Sequence, residues 1–133
     1  MKKKNEMNDI KQRVFPSGAN RNTNNGKFDY EGFVNPAVEN SFGKYMHYHR
    51  KMEDGSLRDS DNWQKGLPSE EIMKSLLRHV MDVHLLHRGY EVIDEQGKKV
   101  DFEECLNGVK FNVNAYILHL IKEKKSKIIK RGE

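Results

Sequence analysis

A chain of 133 residues suffices for one domain of ordinary size and is too short for two. Apolar residues make up 35% and charged residues 33%, against roughly 45–50% apolar (a count that includes Gly) in an average globular domain, so the core is small or is completed by a second subunit. The single cysteine, Cys105, excludes disulfide scaffolds and Cys-rich zinc modules, and neither a membrane span nor a signal peptide can be read in the sequence. A soluble, cytoplasmic protein with no membrane partner is the expectation.

The net charge of +4 is divided unevenly. Residues 1–35 carry seven Lys/Arg against four Asp/Glu, and residues 121–133 carry six against two, which leaves the middle acidic. A protein that reads nucleic acid more often places its cations on the folded face that meets phosphate, so nucleic acid is not the expected partner of this chain.

Residues 1–27 hold Lys2-Lys3-Lys4, Pro16-Ser17-Gly18 and a polar run from Asn20 to Gly26 with no helical or strand period. This composition predicts an extended or mobile arm. Asn35 as N-cap and Pro36 at the first helical position open a helix whose apolar face is Val38, Phe42, Tyr45, Met46 and His49, ending near Lys51. A polar connection follows, and Trp63 lies in its loop Asp61-Asn62-Trp63-Gln64-Lys65-Gly66.

Ser69, followed by Glu70 and Glu71, predicts the cap of a second helix. Its apolar face is Ile72, Met73, Leu76, Leu77, Val80 and Val83, and Gly89 is its stop. Residues 90–100 suit a small β-hairpin around Gln96-Gly97. Asp101 caps a third helix, with Glu104 placed to reach back in a capping box, and Phe102, Leu106, Val109, Val113, Tyr116, Ile117 and Leu120 form its core stripe. The expected architecture is all-α, an open three- to four-helix bundle over residues 28–121 between a 1–27 arm and a basic 122–133 tail. Such bundles are often completed by association, so a homo-oligomer is expected.

Helical geometry sorts the polar groups. His84 and His87 fall within the apolar arc, as core residues or as a pocket wall, and His79 and Asp82 sit one turn apart at its edge. Glu103, Asn107, Lys110 and Asn114 recur as a polar row on the third helix, either a solvated flank or one wall of a cleft. In a cleft, the carboxylate would suit Mg²⁺ and the ammonium and amides would suit phosphate or sugar, with Glu39 adding a second carboxylate. Trp63 is either a plug closing the bundle or a stacking surface for a purine, with Asn62 reading the base edge and Lys65 beside it. Cys105 lies on the core side of its helix and is read as inert.

Gly26-Lys27-Phe28-Asp29 before a Pro-started helix, the loop Asn62-Trp63-x-x-Gly66-x-Pro68 and Ser75-Leu76-Leu77-Arg78-His79 together resemble a phage-associated family. It is the N-terminal domain of the dATP/dGTP diphosphohydrolases, related to the MazG-like nucleotide pyrophosphohydrolases. The likeness runs from about Lys27 to Leu120. It implies a MazG-like helical, usually oligomeric, Mg²⁺-dependent enzyme that cleaves a purine dNTP to the monophosphate and pyrophosphate. Asn62, Trp63, Arg78 and His79 are the matching positions. The chain departs from the MazG acidic pattern: Glu70-Glu71 is followed by Lys74, and Glu104 by Asn107.

The combined expectation gives Arg78, His79 and Lys110 the catalytic roles. Asn62, Trp63, Lys65, Asn107 and Asn114 bind the purine dNTP, and Glu39, Asp82, Glu103 and Glu104 hold Mg²⁺. The alternative expectation is a non-catalytic helical protein that binds nucleotide or a protein partner.

Overall fold

The computed structural model describes residues 12–124 and 128–132, which fall into two units: residues up to 33 with 128–132, and residues 34–124. In the first unit, β1 (Gln12–Val14) pairs antiparallel with β2 (Asn20–Asn22), Arg13 opposite Arg21. Pro16, Ser17 and left-handed Gly18 connect them, and hydrogen bonds from Gly18 N–H to Phe15 C=O and from Phe15 N–H to Ala19 C=O, both 2.8 Å, close the loop. A three-residue loop with a left-handed last residue is a standard hairpin connection. Residues 12–22 of the expected arm thus form a small hairpin, and residues 1–11 lie outside the described residues. The basic tail is described only over 128–132, where Gly132 bridges Lys27 and the Phe28 N–H donates to Arg131 C=O at 3.1 Å. A single helical turn, α1 (Tyr30–Phe33), completes this unit.

The second unit is helical: α2 (Pro36–Tyr48), one 3₁₀ turn (Asn62–Lys65), α3 (Ser69–His87) and α4 (Phe102–Glu123). With the small β1–β2 sheet, the described chain is mostly helical, and among the described residues no helix is long and apolar enough to cross a membrane. Asn35 caps α2 through its side-chain oxygen, which accepts from Ala37 N–H at 2.9 Å and Val38 N–H at 3.4 Å. Ser69 proves to be the first residue of α3 rather than its cap; Pro68 stands at the cap position, with no side-chain bond to the helix. At the other end, left-handed Gly89 donates to Leu86 C=O and Tyr90 N–H donates to Leu85 C=O, the paired bonds of a glycine-terminated helix.

Asp101 caps α4 by accepting from Glu104 N–H at 3.0 Å, but the capping box is half formed because the Glu104 carboxylate accepts from His49 instead. Between α3 and α4 the expected hairpin is reduced to one bridge, Ile93 with Lys99, tied by the Asp94 carboxylate accepting from Gln96 and Lys98 N–H.

α3 and α4 pack antiparallel, Ser75 beside Asn112 and His79 beside Cys105 and Gly108. The contact on α4 is the stripe Cys105, Gly108, Asn112 and Ala115, all buried. Here the core differs from the expected stripe: Phe102, Leu106, Val113, Ile117 and Leu120 are exposed, as are Met73, Leu77 and Val80 of α3. Small residues let two helix backbones approach, and the stripe that allows that approach wins the interface over the larger side chains. His84 and His87 are exposed, outside any core. α2 joins α4 through polar groups: Ser41 Oγ donates to Glu103 at 2.6 Å, Asn107 Nδ2 donates to Ser41 Oγ at 2.9 Å, and Lys110 Nζ pairs with Glu39 at 2.7 Å.

Candidate functional site

Among the described residues, hollows open between the helices of the second unit. A cleft of about 250 Å³ is walled by α2, the 3₁₀ turn, α3 and α4 and holds Asn62, Trp63, Arg50, Arg58, Phe111 and Asn112. A second, of about 360 Å³, lies between α2, α3, the 94–101 segment and the start of α4, and holds Arg78, Asp82, Lys98, Lys99, Asp101 and Glu104. Tyr45, His49, Ser75 and His79 line both, so the two clefts share a wall. A third hollow, of about 480 Å³, lies between α2 and the start of α4 and includes Ser41, Lys44, Glu103 and Asn107.

Trp63 is presented by the 3₁₀ turn, which left-handed Gly66 ends, and its indole meets the Phe111 ring edge-on at 6.0 Å between centroids. Part of the Trp63 surface is thereby used on the bundle, while the residue still lines the first cleft. Arg58 donates from Nη1 to His49 C=O at 3.1 Å, and Arg50 donates from Nε to Arg58 C=O at 2.7 Å. Each guanidinium has five N–H donors, so one such bond leaves donors for an anion.

His79 is the pivot between the clefts. Its ring lies against Gly108, where an added Cβ would stand 2.8 Å from Cε1 and 2.9 Å from Nδ1. Burial holds the His79 imidazole below its ordinary pKa of 6.5; Asp82 opposes that shift, while Arg78 and His49 add to it. The ring is therefore neutral at pH 7, with one nitrogen able to accept a proton. Below it, Cys105 is held as a thiol, donating to His79 C=O at 3.3 Å, and burial with the Asp82 carboxylate as the next cause pushes its pKa up to about 11. Burial, then the Glu104 charge, pushes Tyr45 up to about 12. Neither group supplies a nucleophile at neutral pH.

The structure thus brings Asn62 and Trp63 to one cleft, Arg78, Asp82 and Glu104 to its neighbour, and His79 to both. The remaining residues of the sequence reading lie apart. Lys65 pairs with Asp59 at 3.6 Å, Lys110 is bound to Glu39 with its ammonium over the Phe42 ring, and Asn114 lines none of the three hollows. Glu103 and Asn107 face α2 through Ser41. The polar row of α4 is thus a helix–helix contact over much of its length. Among the described residues no three of His, Cys, Asp and Glu are grouped to hold a metal ion, so Glu39, Asp82, Glu103 and Glu104 do not form one four-carboxylate cage.

Sequence reasoning missed Arg50, Arg58, His49, Ser75, Asn112 and Gly108. Two of them left a signal: a glycine inside a helix costs about 1 kcal/mol relative to alanine and so marks a close approach, and Asn112 recurs one heptad after Cys105 on the packed face. Asn112 is buried and donates to Ser75 Oγ at 3.2 Å and Gly108 C=O at 2.9 Å, fixing the rear wall of the first cleft. Comparison with known proteins gives no match to this chain, whether by family model, curated protein or solved structure.

Proposed function

We propose that the chain is a MazG-like nucleotide pyrophosphohydrolase that takes a purine deoxynucleoside triphosphate, dATP or dGTP, to the monophosphate and pyrophosphate. The observation that carries this reading is the shared wall: an aromatic, amide-bearing cleft and a charged cleft meet at His79. The base stacks beside Trp63 and Phe111, with Asn62 and Asn112 offering donors and acceptors to its edge. The triphosphate extends past His79 toward Arg78, and Arg50 and Arg58 flank the entrance.

Mg²⁺ commonly keeps several waters and takes only one or two protein carboxylates together with substrate phosphates, a demand that Asp82 and Glu104, lining one cleft, can meet. A cation held there supplies charge neutralisation to the triphosphate. The chain's own groups do the rest. Water adds to the α-phosphorus, the bond to the α,β-bridging oxygen breaks, and pyrophosphate leaves with the electron pair. Neutral His79 accepts the proton that the water sheds, and the Arg78 guanidinium offsets charge growing on the leaving group.

Incubation of the full chain with each dNTP and Mg²⁺, with pyrophosphate as the readout, tests this reading. Release from dATP or dGTP, and its loss in His79→Gln, is the expected result; no release from any dNTP overturns the catalytic reading. A second reading, nucleotide binding without turnover, is favoured by one observation: Glu39, Glu103 and Glu104 are already engaged by Lys110, Ser41 and His49. Quenching of Trp63 fluorescence by dGTP without pyrophosphate release is its signature.

A further inference from the structure

Cations at chain ends argue against a nucleic-acid reader only while those ends lack a folded face. Here they have one. The described part of the first unit, residues 12–33 and 128–132, carries five Lys/Arg against two Asp/Glu, while residues 34–124 carry thirteen against fifteen. Backbone contacts tie the two ends together: Gly132 bridges Lys27, the Phe28 N–H donates to Arg131 C=O at 3.1 Å, and a Cβ at Gly132 would overlap the Gly26 carbonyl. Lys27 and Arg131, from opposite ends of the sequence, are thereby set on adjoining backbone.

The β1–β2 hairpin adds a second pair of cations. Arg13 and Arg21 stand directly opposite each other in the register, so both side chains leave the ribbon on one face. Like charges so placed work against the pairing, and among the described residues none of the unit's five cations has an ion-pair partner to offset it. Arg13 is held in place, its Nε donating to Asn22 C=O at 2.9 Å and its guanidinium 5.5 Å from the centre of the Phe15 ring. Four N–H donors of that guanidinium remain for an anion. The hairpin has no buried residue, so its charge arrangement is not the by-product of a core.

Exposed rings lie among these cations. Phe15, Phe28, Tyr30 and Phe33 are all exposed, from 36% at Phe15 to 75% at Phe33. An acidic peptide would use the cations and leave the rings idle. A bilayer surface would take a continuous apolar face, whereas the longest helix of this unit has four residues and its hairpin carries the amides of Gln12, Asn20 and Asn22. A polymer that alternates phosphates with flat bases matches both features at once, and its bases stack freely only when it is single-stranded.

We infer that the first unit is a binding site for single-stranded nucleic acid. Arg13, Arg21, Lys27 and Arg131 take backbone phosphates, and Phe15 and Phe33 offer faces on which bases stack. The site shares no residue with the clefts and is independent of what they bind.

Fluorescence anisotropy of labelled 20-nucleotide oligo(dT) and oligo(rU), titrated with the full chain between 50 and 200 mM salt, tests this inference. Four or five phosphate contacts at about −0.7 each predict a log–log salt slope of about −3, so affinity falls roughly 50- to 100-fold across that range. Arg21→Gln, at an exposed position, is expected to make the slope shallower by about 0.7 and to weaken binding about fivefold at 0.1 M salt. Phe33→Leu keeps an apolar side chain and removes the ring; it is expected to weaken binding at least fivefold with the slope unchanged. A duplex of the same length should bind at least tenfold more weakly, because its bases are already stacked. Binding of either oligomer with these effects supports the site, and the tighter of the two names DNA or RNA as its source. No binding of either oligomer at 50 mM salt, or binding that either variant leaves unchanged, overturns it. Equal affinity for the duplex, or tighter binding to phosphatidylserine vesicles at equal phosphate concentration, overturns it as well.

Discussion

At the scale of single residues, His79 carries more of the argument than any other side chain, and its titration is the place to test it. Its folded-state pKa lies below 6.5 because burial disfavours the imidazolium, so the unfolded chain binds the proton first as the pH falls. Stability contributed by the neutral ring is complete above pH 6.5, and is lost progressively as the pH drops from there toward the lower folded value. Urea unfolding across pH 5–7.5 is expected to show this slope, and His79→Gln is expected to flatten it; an unchanged slope would assign the titration elsewhere. Gly108 gives a second handle on the same ring. Gly108→Ala gains up to about 1 kcal/mol of helix propensity, yet its Cβ meets the imidazole at 2.8 Å, and the ring must turn toward water. The expected result is a net loss of about 1 kcal/mol and a His79 resonance whose pKa moves up toward its ordinary value by NMR. A ring that titrates as in the unsubstituted chain would show that the close approach of α3 and α4 is not what holds it.

At the scale of elements, α2 is held on α4 by Ser41, Asn107, Glu39 and Lys110, while α3 is held on α4 by buried backbone proximity. Polar ties of this kind are modest: a net hydrogen bond is worth about 0.5–1.5 kcal/mol, and an exposed ion pair such as Glu39–Lys110 about 0–1 kcal/mol. α2 should therefore open below the free energy of global unfolding. Asn107→Ala removes two donations to Ser41, at 2.9 and 3.3 Å, and is expected to cost about 1–3 kcal/mol. Native-state hydrogen exchange should show α2 amides accelerated and α3 amides unchanged; uniform acceleration would make the two helices one cooperative unit. The same contrast explains which elements could be read from sequence. Asn35-Pro36, Gly89 and Asp101 are local signals with local causes, and each sits where its chemistry put it. The packing face of α4 was hidden because hydrophobic periodicity points to Leu106, Val113 and Leu120, whereas the contact runs through Cys105, Gly108, Asn112 and Ala115. For the site, Asn62 and Trp63 share a turn, and Arg78, His79 and Asp82 share a helix, so their grouping was readable along the chain. Glu39, Glu103 and Lys110 were not separable from them, because whether a charged side chain faces a cleft or a neighbouring helix depends on tertiary pairing that spacing does not encode.

At the scale of the whole molecule, the joined clefts draw their walls from every part of the helical unit: α2, the 3₁₀ turn, α3, the 94–101 segment and α4. A ligand that fills them touches each element at once, so its binding energy is available only to the assembled unit and appears as global stability. A dNTP at one hundred times its dissociation constant stabilises by about 2.7 kcal/mol. For a unit of this size that corresponds to a rise of about 14 °C in unfolding midpoint. With Mg²⁺ present, dATP and dGTP are expected to give that rise at saturation, with dCTP and dTTP well below them because stacking on Trp63 favours the larger purine surface. Trp63→Ala should abolish the purine preference while leaving the unliganded midpoint within a few degrees. DNA is the informative control, because the basic charge lies at the chain ends and the helical middle is acidic. Binding confined to those ends leaves the helical unit's midpoint unmoved and weakens steeply with salt. Equal stabilisation by all four dNTPs would remove the base contact from the first cleft, and a rise with DNA but not with dNTPs would move the ligand out of the clefts altogether.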